Sequence, residues 1–143
     1  MNVYYMNGAG NDFMVMDARE DENQDFSALA RKYCAITGAD GFVGSHTVSC
    51  FLEQGCHVLA LDMGDQPNRL KEHPALTYRK CDISDGAALE AIAEPGVYDT
   101  FIHFAWAGSA GPARVDYNLQ MRNALNTVEC LKTAKKLGCS RFV

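Results

Sequence analysis

The chain has 143 residues, 48% of them hydrophobic, which is enough to bury one core of ordinary size without disulfides or metals. Its formal net charge of −5 and pI near 5.2 argue against a nucleic-acid partner, because phosphates are bound by clustered Lys and Arg. No apolar run approaches the ~18 residues of a membrane span, and the first basic residue is Arg19, so we expect neither a span nor a secretory signal.

The six cysteines and four histidines are scattered along the chain and show no metal-ligand spacing. We therefore expect no metal site. Without a secretory signal, such cysteines are typical of small buried residues in a reducing compartment, which predicts a cytoplasmic protein.

Residues 1–26 are predicted to form an N-terminal β-hairpin followed by an acidic linker. Residues 2–6 and 13–17 have the pattern of two strands, and the glycine- and asparagine-rich residues 7–12 between them predict a turn-rich loop. The polar, mainly acidic residues 20–25 indicate a solvated linker.

Residues 27–143 are predicted to form one α/β dinucleotide-binding domain. After a short helix at 28–32, apolar strands alternate with helix-length segments, which is typical of βαβ units in a parallel sheet. The predicted strands are 33–37, 57–62, 76–81, 99–105 and one that begins at 141, and the predicted helices are 42–54, 85–93 and 112–137. In the last helix, one buried stripe is expected to contain Val115, Leu119, Leu125, Val128, Leu131, Ala134 and Leu137.

The glycine triplet within residues 37–44 is the most informative motif of the chain. It follows a predicted strand and opens a predicted helix, as phosphate binding requires. Gly38 allows a tight turn, Gly41 lets the backbone approach a pyrophosphate, and Gly44 lets helix and strand pack closely. The helix start adds backbone N–H groups and a positive dipole, so the motif predicts a dinucleotide ligand.

Asp62 ends the second predicted strand, 18 residues after Gly44, where a ribose-binding carboxylate is expected. A carboxylate at this place accepts hydrogen bonds from both ribose hydroxyls and repels a 2′-phosphate, which favours NAD over NADP. The alternative is that Asp62 only caps the turn into Met63 and Gly64.

Further motifs follow the later strands. Cys81-Asp82-Ile83 comes after the third strand, and His103-Phe104-Ala105-Trp106 after the fourth; the long helix carries Asn123, Asn126 and Thr127. With the glycine loop, these motifs resemble the opening of the extended short-chain dehydrogenases/reductases, in the NAD-dependent epimerase/dehydratase family of nucleotide-sugar enzymes. That family has His-x-Ala-Ala at the place of residues 103–106, so Trp106 is a departure that crowds the pocket. The family also has Gly where this chain has Asn126.

The resemblance covers residues 32–143 and implies a truncated Rossmann-type parallel sheet of order 3-2-1-4-5 that binds NAD. It implies that backbone amides of the glycine loop hold the pyrophosphate, Asp62 the adenosine ribose, and the later motifs the adenine and the ribose-nicotinamide side. The implied cofactor-binding residues are Gly38, Gly41, Phe42, Val43, Gly44, Asp62, Asp82, Ile83, Phe104, Ala105 and Trp106.

The catalytic residues of that family have no counterpart in these 143 residues. Its Ser and its Tyr-x-x-x-Lys pair would follow the fifth strand, and no tyrosine here has Lys four positions later. Hydride transfer coupled to proton transfer therefore has no agent, and we expect cofactor binding without catalysis.

The first 43 residues carry a second resemblance. The run Asn7-Gly8-Ala9-Gly10-Asn11-Asp12 and the turn at residues 38–41 are similar to the beginning of diaminopimelate epimerase. This implies that Asn11 contacts an amino-acid substrate; the interpretation we favour is that Asn11 and Asp12 close a hairpin. No cysteine has the glycine-rich surroundings of that family's acid–base pair, so its chemistry is not expected.

The two resemblances overlap at residues 37–43, so the chain has the pattern of a chimera joined at two glycine-rich turns. They also conflict, because the epimerase pattern makes residues 27–35 helical whereas the dehydrogenase pattern makes 33–37 a strand. We favour the strand, since a central position in a parallel sheet outweighs local propensity.

A rival hypothesis is a small acidic interaction module, for example a toxin-neutralising partner, that uses the fold as a scaffold without cofactor. Its binding surface would be an exposed sheet edge, and its partner another protein or a second copy. A third hypothesis is a recombined or designed chain with no evolved role.

Overall fold

The structure, a computed structural model, describes residues 33–92 and 98–143, together with the backbone of two strands near the N-terminus. The predicted acidic linker at 20–25, the helix at 28–32 and the domain boundary after residue 26 lie outside the described residues. Among the described residues, no helix combines the length and the hydrophobicity that crossing a membrane requires.

The N-terminal hairpin is confirmed, with longer strands than predicted. Strands β1 (Asn2–Gly8) and β2 (Asn11–Asp17) pair antiparallel, in a register that joins Asn2 to Asp17 and Gly8 to Asn11. Most of the predicted loop at residues 7–12 therefore belongs to the ladder.

Five parallel strands form the main sheet. They are β3 (Tyr33–Thr37), β4 (His57–Asp62), β5 (Leu76–Lys80), β6 (Tyr98–His103) and β7 (Arg141–Phe142). Their spatial order is β5-β4-β3-β6-β7, which is the predicted order 3-2-1-4-5. The strand expected at 33–37 is confirmed, so the helical alternative for its residues is wrong.

Two apolar layers cover the sheet because its central strands bury side chains on both faces. In β3, Ala35 belongs to one cluster and Ile36 to the other, and both are fully buried. Helix α1 (Phe42–Glu53) packs on the Ile36 side through Val48. This burial on both faces explains why the strands are continuous apolar runs.

Helix α2 (Gly86–Ala91) is shorter than the predicted 85–93. The carboxylate of Asp85 caps it by accepting hydrogen bonds from the backbone N–H groups of Ala87 and Ala88, both at 3.1 Å. Asp85 therefore lies before the first helical residue, as an N-cap does.

The single helix predicted over 112–137 is wrong in its first part. A 3₁₀ helix (Gly111–Val115) comes first, and α3 (Tyr117–Lys136) begins anew after Asp116, whose carboxylate accepts a hydrogen bond from the Leu119 N–H at 3.1 Å. The N-cap interrupts the helical phase, so residues on its two sides do not share one face.

The buried stripe predicted for this helix is also wrong in large part. Ala134 and Leu137 are buried, but four of the other predicted positions are exposed: Val115, Leu125, Val128 and Leu131. The buried side of α3 instead carries Asn123, Cys130 and Thr133. Leu119 and Leu125 are six residues apart, which places them on different faces of a helix of 3.6 residues per turn.

Candidate functional site

The glycine loop forms a compact turn between β3 and α1. Gly38 has a φ of 65°, and the Gly41 N–H donates to the Gly38 carbonyl at 3.1 Å. Gly41 is the N-cap residue of α1 and offers no side chain to the helix start. The first N–H groups of α1 are therefore left to a ligand or to water, as at known phosphate sites.

Two glycines of the loop are required by close backbone contacts. A Cβ atom on Gly44 would lie 2.1 Å from the Gly38 carbonyl oxygen, and one on Gly38 would lie 2.7 Å from the Ala105 nitrogen. The first contact brings α1 onto the turn, as expected for Gly44. The second joins the turn to the segment after β6, so Gly38 serves this approach as well as the predicted tight turn.

Asp62, at the end of β4, has a carboxylate held from two sides. Its Oδ2 accepts a hydrogen bond from the Asp40 N–H at 2.8 Å, and its Oδ1 accepts one from the Met63 N–H at 2.8 Å. The bond to Met63 is the turn-capping role given above as the alternative. Each carboxylate oxygen has a second lone pair, so the cap and a ribose contact are compatible.

Asp82 and Ile83 follow β5 on the same edge of the sheet. The Asp82 carboxylate accepts hydrogen bonds from the Ser84 N–H at 2.9 Å and from the Ser84 hydroxyl at 2.7 Å. These bonds lower the pKa of Asp82 below its ordinary value of 3.8. The carboxylate is therefore charged at neutral pH and holds its own turn.

Trp106 follows β6, and its ring is fixed at the wall of the site. The indole Nε1–H donates to the Gln120 side-chain oxygen at 2.8 Å, and the Gln120 amide nitrogen donates to the Ala113 carbonyl at 3.1 Å. The Asn123 side chain bonds both the N–H and the carbonyl of Ala107. Helix α3 thus holds the segment that contains Trp106.

His103 is held beneath this segment by two threonines. Its Nδ1 lies 2.7 Å from the Thr37 hydroxyl, and its Nε2 lies 3.1 Å from the Thr127 hydroxyl, which itself donates to the Asn123 carbonyl. Burial lowers the pKa of His103 below its ordinary value of 6.5. The folded protein therefore favours the neutral ring.

This pKa shift predicts a loss of stability in mild acid. The unfolded chain takes up the His103 proton near pH 6.5 and the folded chain only at lower pH, so the free energy of unfolding falls as the pH drops below about 6.5. Urea denaturation between pH 7.5 and 4.5 measures it, and His103→Gln should flatten the curve. An equally steep curve in the variant would assign the effect to another group.

At more acidic pH, the dependence of stability on pH is due to the carboxylates. Asp40 and Asp82 have lowered pKa values, so their contribution is complete above their ordinary value of 3.8 and is lost below it. The pH range of the His103 experiment is therefore separate from theirs.

One cavity of about 1100 Å³ gathers these features where β3, β4, β5 and β6 end. This edge of an open parallel sheet is the usual ligand-binding position. All predicted cofactor-binding residues line it, namely Gly38, Gly41, Phe42, Val43, Gly44, Asp62, Asp82, Ile83, Phe104, Ala105 and Trp106. Their contacts with a cofactor stay a prediction.

The 3₁₀ helix and the start of α3 contribute a part of the wall that lay outside the predicted cofactor-binding residues. Arg114, Gln120 and Arg122 line the cavity there, with Asn123 and Asn126. Gln120 and Asn123 lie three residues apart on one helical face, but the predicted buried stripe was chosen by hydrophobicity and left polar residues out. Within residues 33–92 and 98–143, no group of three or more His, Cys, Asp or Glu side chains is arranged to hold a metal ion.

Comparison with known protein families gives one extended match. The sequence model of the NAD-dependent epimerase/dehydratase family matches residues 34–143. UDP-glucose 4-epimerase 1 of Oryza sativa subsp. japonica is 33% identical over 128 residues, covering 82% of this chain and 36% of the relative. UDP-glucose 4-epimerase of Halalkalibacterium halodurans is 40% identical over 74 residues, covering 49% of this chain and 21% of the relative.

Solved structures agree with these relatives. The Bordetella bronchiseptica enzyme WbmH in complex with NAD⁺ has a TM-score of 0.65 and 30% identity, covering 78% of this chain and 38% of that one. Epimerase Mth375 of Methanothermobacter thermautotrophicus has a TM-score of 0.70 and 26% identity, covering 82% and 35%. The chain thus spans about a third of the length of the proteins it matches.

Proposed function

The chain belongs to the NAD-dependent epimerase/dehydratase family, and we propose that it binds NAD in the cavity at the carboxyl edge of its parallel sheet. The observation that carries the proposal is the juxtaposition, around one cavity, of the uncapped start of α1 and the Asp62 carboxylate. The first suits a pyrophosphate, and the second suits a ribose with free hydroxyls.

The residues at the carboxyl end of each strand set the orientation of the cofactor. Backbone N–H groups at the start of α1, those of Phe42 and Val43, hold the pyrophosphate, and Gly41 lets the backbone approach it. Asp62 accepts hydrogen bonds from the hydroxyls of the adenosine ribose. The adenine lies against Asp82 and Ile83. The ribose-nicotinamide side meets the segment that follows β6, which contains Phe104, Ala105 and Trp106.

We also propose that this polypeptide holds the cofactor without transferring hydride. None of its six tyrosines has a lysine four positions later, and the Tyr78 pKa is raised by burial and by nearby carboxylates such as Asp62. A tyrosine acts as a proton-transfer group at neutral pH when its pKa is lowered, so Tyr78 is unsuited to that role. Mixing the polypeptide with NAD and UDP-glucose should leave the UDP-glucose unconverted, as measured by chromatography of the nucleotide sugars.

Thermal denaturation with NAD tests the binding proposal. Ligand at 100 times its Kd stabilises a fold by about 2.7 kcal/mol, so the melting temperature should rise with NAD concentration. Asp62→Ala should weaken the shift because the ribose hydroxyls lose their acceptor. The absence of any upward shift at millimolar NAD would contradict the proposal.

Asp65→Ala is the matched control for Asp62→Ala. Asp65 lies three residues further on, is largely exposed and pairs with Lys80 at 2.6 Å. Its substitution removes the same charge from the same loop, and an exposed ion pair contributes little to stability. The NAD-dependent shift of Asp65→Ala should equal that of the wild type.

The interaction-module hypothesis keeps one supporting observation. Four apolar side chains of α3 lie at helical spacing and are 47–84% exposed: Tyr117, Met121, Leu125 and Val128. Such a face fits a protein partner. Recovery of one specific partner by a chain that shows no NAD binding would favour this function over the first.

The state of the cysteines supports the proposal of a reducing, cytoplasmic location. All six are free thiols; Cys34, Cys56, Cys81 and Cys130 are buried as expected, whereas Cys50 is exposed. Burial raises the pKa of Cys34 and Cys130 to about 12 and that of Cys81 to about 11. Thiols of this kind are unreactive and packed as small apolar groups.

A further inference from the structure

The side chain of Asp40, in the glycine loop, fastens a distant segment to that loop. Its Oδ1 accepts hydrogen bonds from the backbone N–H groups of Arg69 at 2.7 Å and Leu70 at 3.3 Å. Its Oδ2 accepts two from Asn68, one from the backbone at 2.8 Å and one from the side-chain amide at 3.2 Å. The donors lie 28 to 30 positions further along the chain, so the carboxylate joins two loops.

The hydrogen bonds are strong enough to dominate the titration of Asp40. Burial acts to raise its pKa, but the bonds from Asn68, Arg69 and Leu70 outweigh burial and lower the pKa below 3.8. The group is therefore a carboxylate at neutral pH. Charge-assisted bonds of this kind are stronger than neutral ones.

The backbone of the same residue holds Asp62. The Asp40 N–H donates to Asp62 Oδ2, while the next residue of the joined loop, Met63, donates to Oδ1. The loop that Asp40 fastens thus begins at the residue that orients the other oxygen of Asp62. Asp40 acts on the Asp62 carboxylate from both sides, through its own amide and through the loop.

Other contacts of this loop are directed elsewhere. The Tyr78 hydroxyl donates to the Gly64 carbonyl at 2.8 Å, and Lys80 pairs with Asp65. The Tyr78 bond fastens the loop to β5, whereas Asp40 fastens it to the glycine loop; the exposed Lys80–Asp65 pair adds little. Loss of the Asp40 carboxylate would leave the loop attached to the sheet but free to move relative to the phosphate-binding turn.

We propose that Asp40 is a positioning residue for the adenosine ribose, and that it contributes to selectivity for NAD over NADP by fixing the Asp62 carboxylate. The inference rests on the proposed function. A fixed carboxylate meets two ribose hydroxyls at little entropic cost and cannot turn away from a 2′-phosphate. A mobile carboxylate binds the ribose hydroxyls at a higher entropic cost and repels a 2′-phosphate less.

Binding of NAD and NADP to Asp40→Ala, measured by isothermal titration calorimetry, tests this inference. We expect NAD affinity to fall about tenfold, as for the loss of a well-oriented charged hydrogen-bond acceptor. NADP affinity should change by less than about threefold, because two effects oppose each other. A mobile Asp62 carboxylate repels the 2′-phosphate less, but the less ordered loop binds the ribose more weakly. The ratio of the two affinities should therefore shrink.

NADP serves as the internal reference, since it shares the pyrophosphate and nicotinamide with NAD. Asp65→Ala is again the matched variant and should leave both affinities unchanged. Asp40→Asn keeps one acceptor oxygen for Arg69 and Leu70 but places an amide against the donors of Asn68. We expect an intermediate ratio for it, and it replaces Asp40→Ala if circular dichroism shows the alanine variant unfolded.

The outcomes separate the two proposals. A wild type that binds NAD together with an Asp40→Ala variant of unchanged ratio would overturn the inference alone. Equal weakening of both ligands would also overturn it, because that is the result of a general loosening of the fold. A folded wild type that binds neither ligand would overturn the proposed function, and the inference with it.

Discussion

Gly44→Ala is expected to destabilise the fold by ~2 kcal/mol or more and to abolish NAD binding. The added Cβ would lie 2.1 Å from the Gly38 carbonyl oxygen and 2.9 Å from the Ala39 Cα, and both are backbone atoms of the phosphate-binding turn. Helix propensity favours Ala over Gly by ~1 kcal/mol, but overpacking against backbone costs ~3 kcal/mol or more. The clash therefore dominates.

Urea denaturation measures the change in the free energy of unfolding. Isothermal titration calorimetry at low temperature measures NAD binding by the protein that stays folded. Gly86→Ala is the matched control, because a Cβ at Gly86, the first residue of α2, meets nothing within 4 Å. That variant should be unchanged or more stable by up to ~1 kcal/mol. A Gly44→Ala protein of wild-type stability would show that the turn has another conformation.

Phe101→Ala is the second substitution with a large expected effect, a loss of ~4 kcal/mol in the free energy of unfolding. The Phe101 ring is fully buried in β6 and stacks on Phe142 of β7, with centroids 5.7 Å apart and an angle of 18° between the planes. Its removal leaves a cavity that the flanking strands cannot fill, and it weakens the pairing of the short β7.

Phe101→Ala should also disturb the cofactor site, because the site lies at the end of β6. His103, two residues further on, bonds Thr37 and Thr127, and the next residues line the cavity. We therefore expect a loss of NAD affinity in whatever fraction remains folded. Phe101→Leu, which keeps most of the volume, should cost less than ~1.5 kcal/mol.

Phe42→Ala is the matched control for Phe101→Ala. Phe42 opens α1, and 70% of its surface is exposed, so the same truncation there should change the free energy of unfolding by less than ~0.5 kcal/mol. Equal losses in the two variants would contradict the assignment of Phe101 to the core.

The parallel sheet was predictable because its signals are local. Strands β3 and β4 are short apolar runs bounded by glycine or polar residues, and helical segments separate β3 from β4, β5 from β6 and β6 from β7. Parallel pairing with right-handed crossovers then follows from general rules of α/β folds, whereas the order of the strands was implied by the family resemblance. The same local patterns located the glycine loop and Asp62 at adjacent strand ends.

The long helix was predicted poorly for a physical reason. Hydrophobicity was taken as the sign of burial, yet the buried face of α3 carries Asn123 and Thr133, whereas Leu125 is exposed. Asn123 is buried because its side chain satisfies the N–H and carbonyl of Ala107, a residue outside the helix. A buried polar residue depends on partners that a periodicity pattern does not contain.

Local backbone preference and hydrophobic period determined, from the amino-acid sequence by itself, the hairpin, the parallel βαβ order and the glycine turn that opens α1. Only the tertiary structure decided that Asp40 binds residues 68–70, that Gln120 holds Trp106, and which side of α3 is buried. The reason is the range of the interactions. Turn and strand signals act within a few residues, whereas these hydrogen bonds join residues 14 to 30 positions apart, whose meeting depends on how the loops cross the sheet edge.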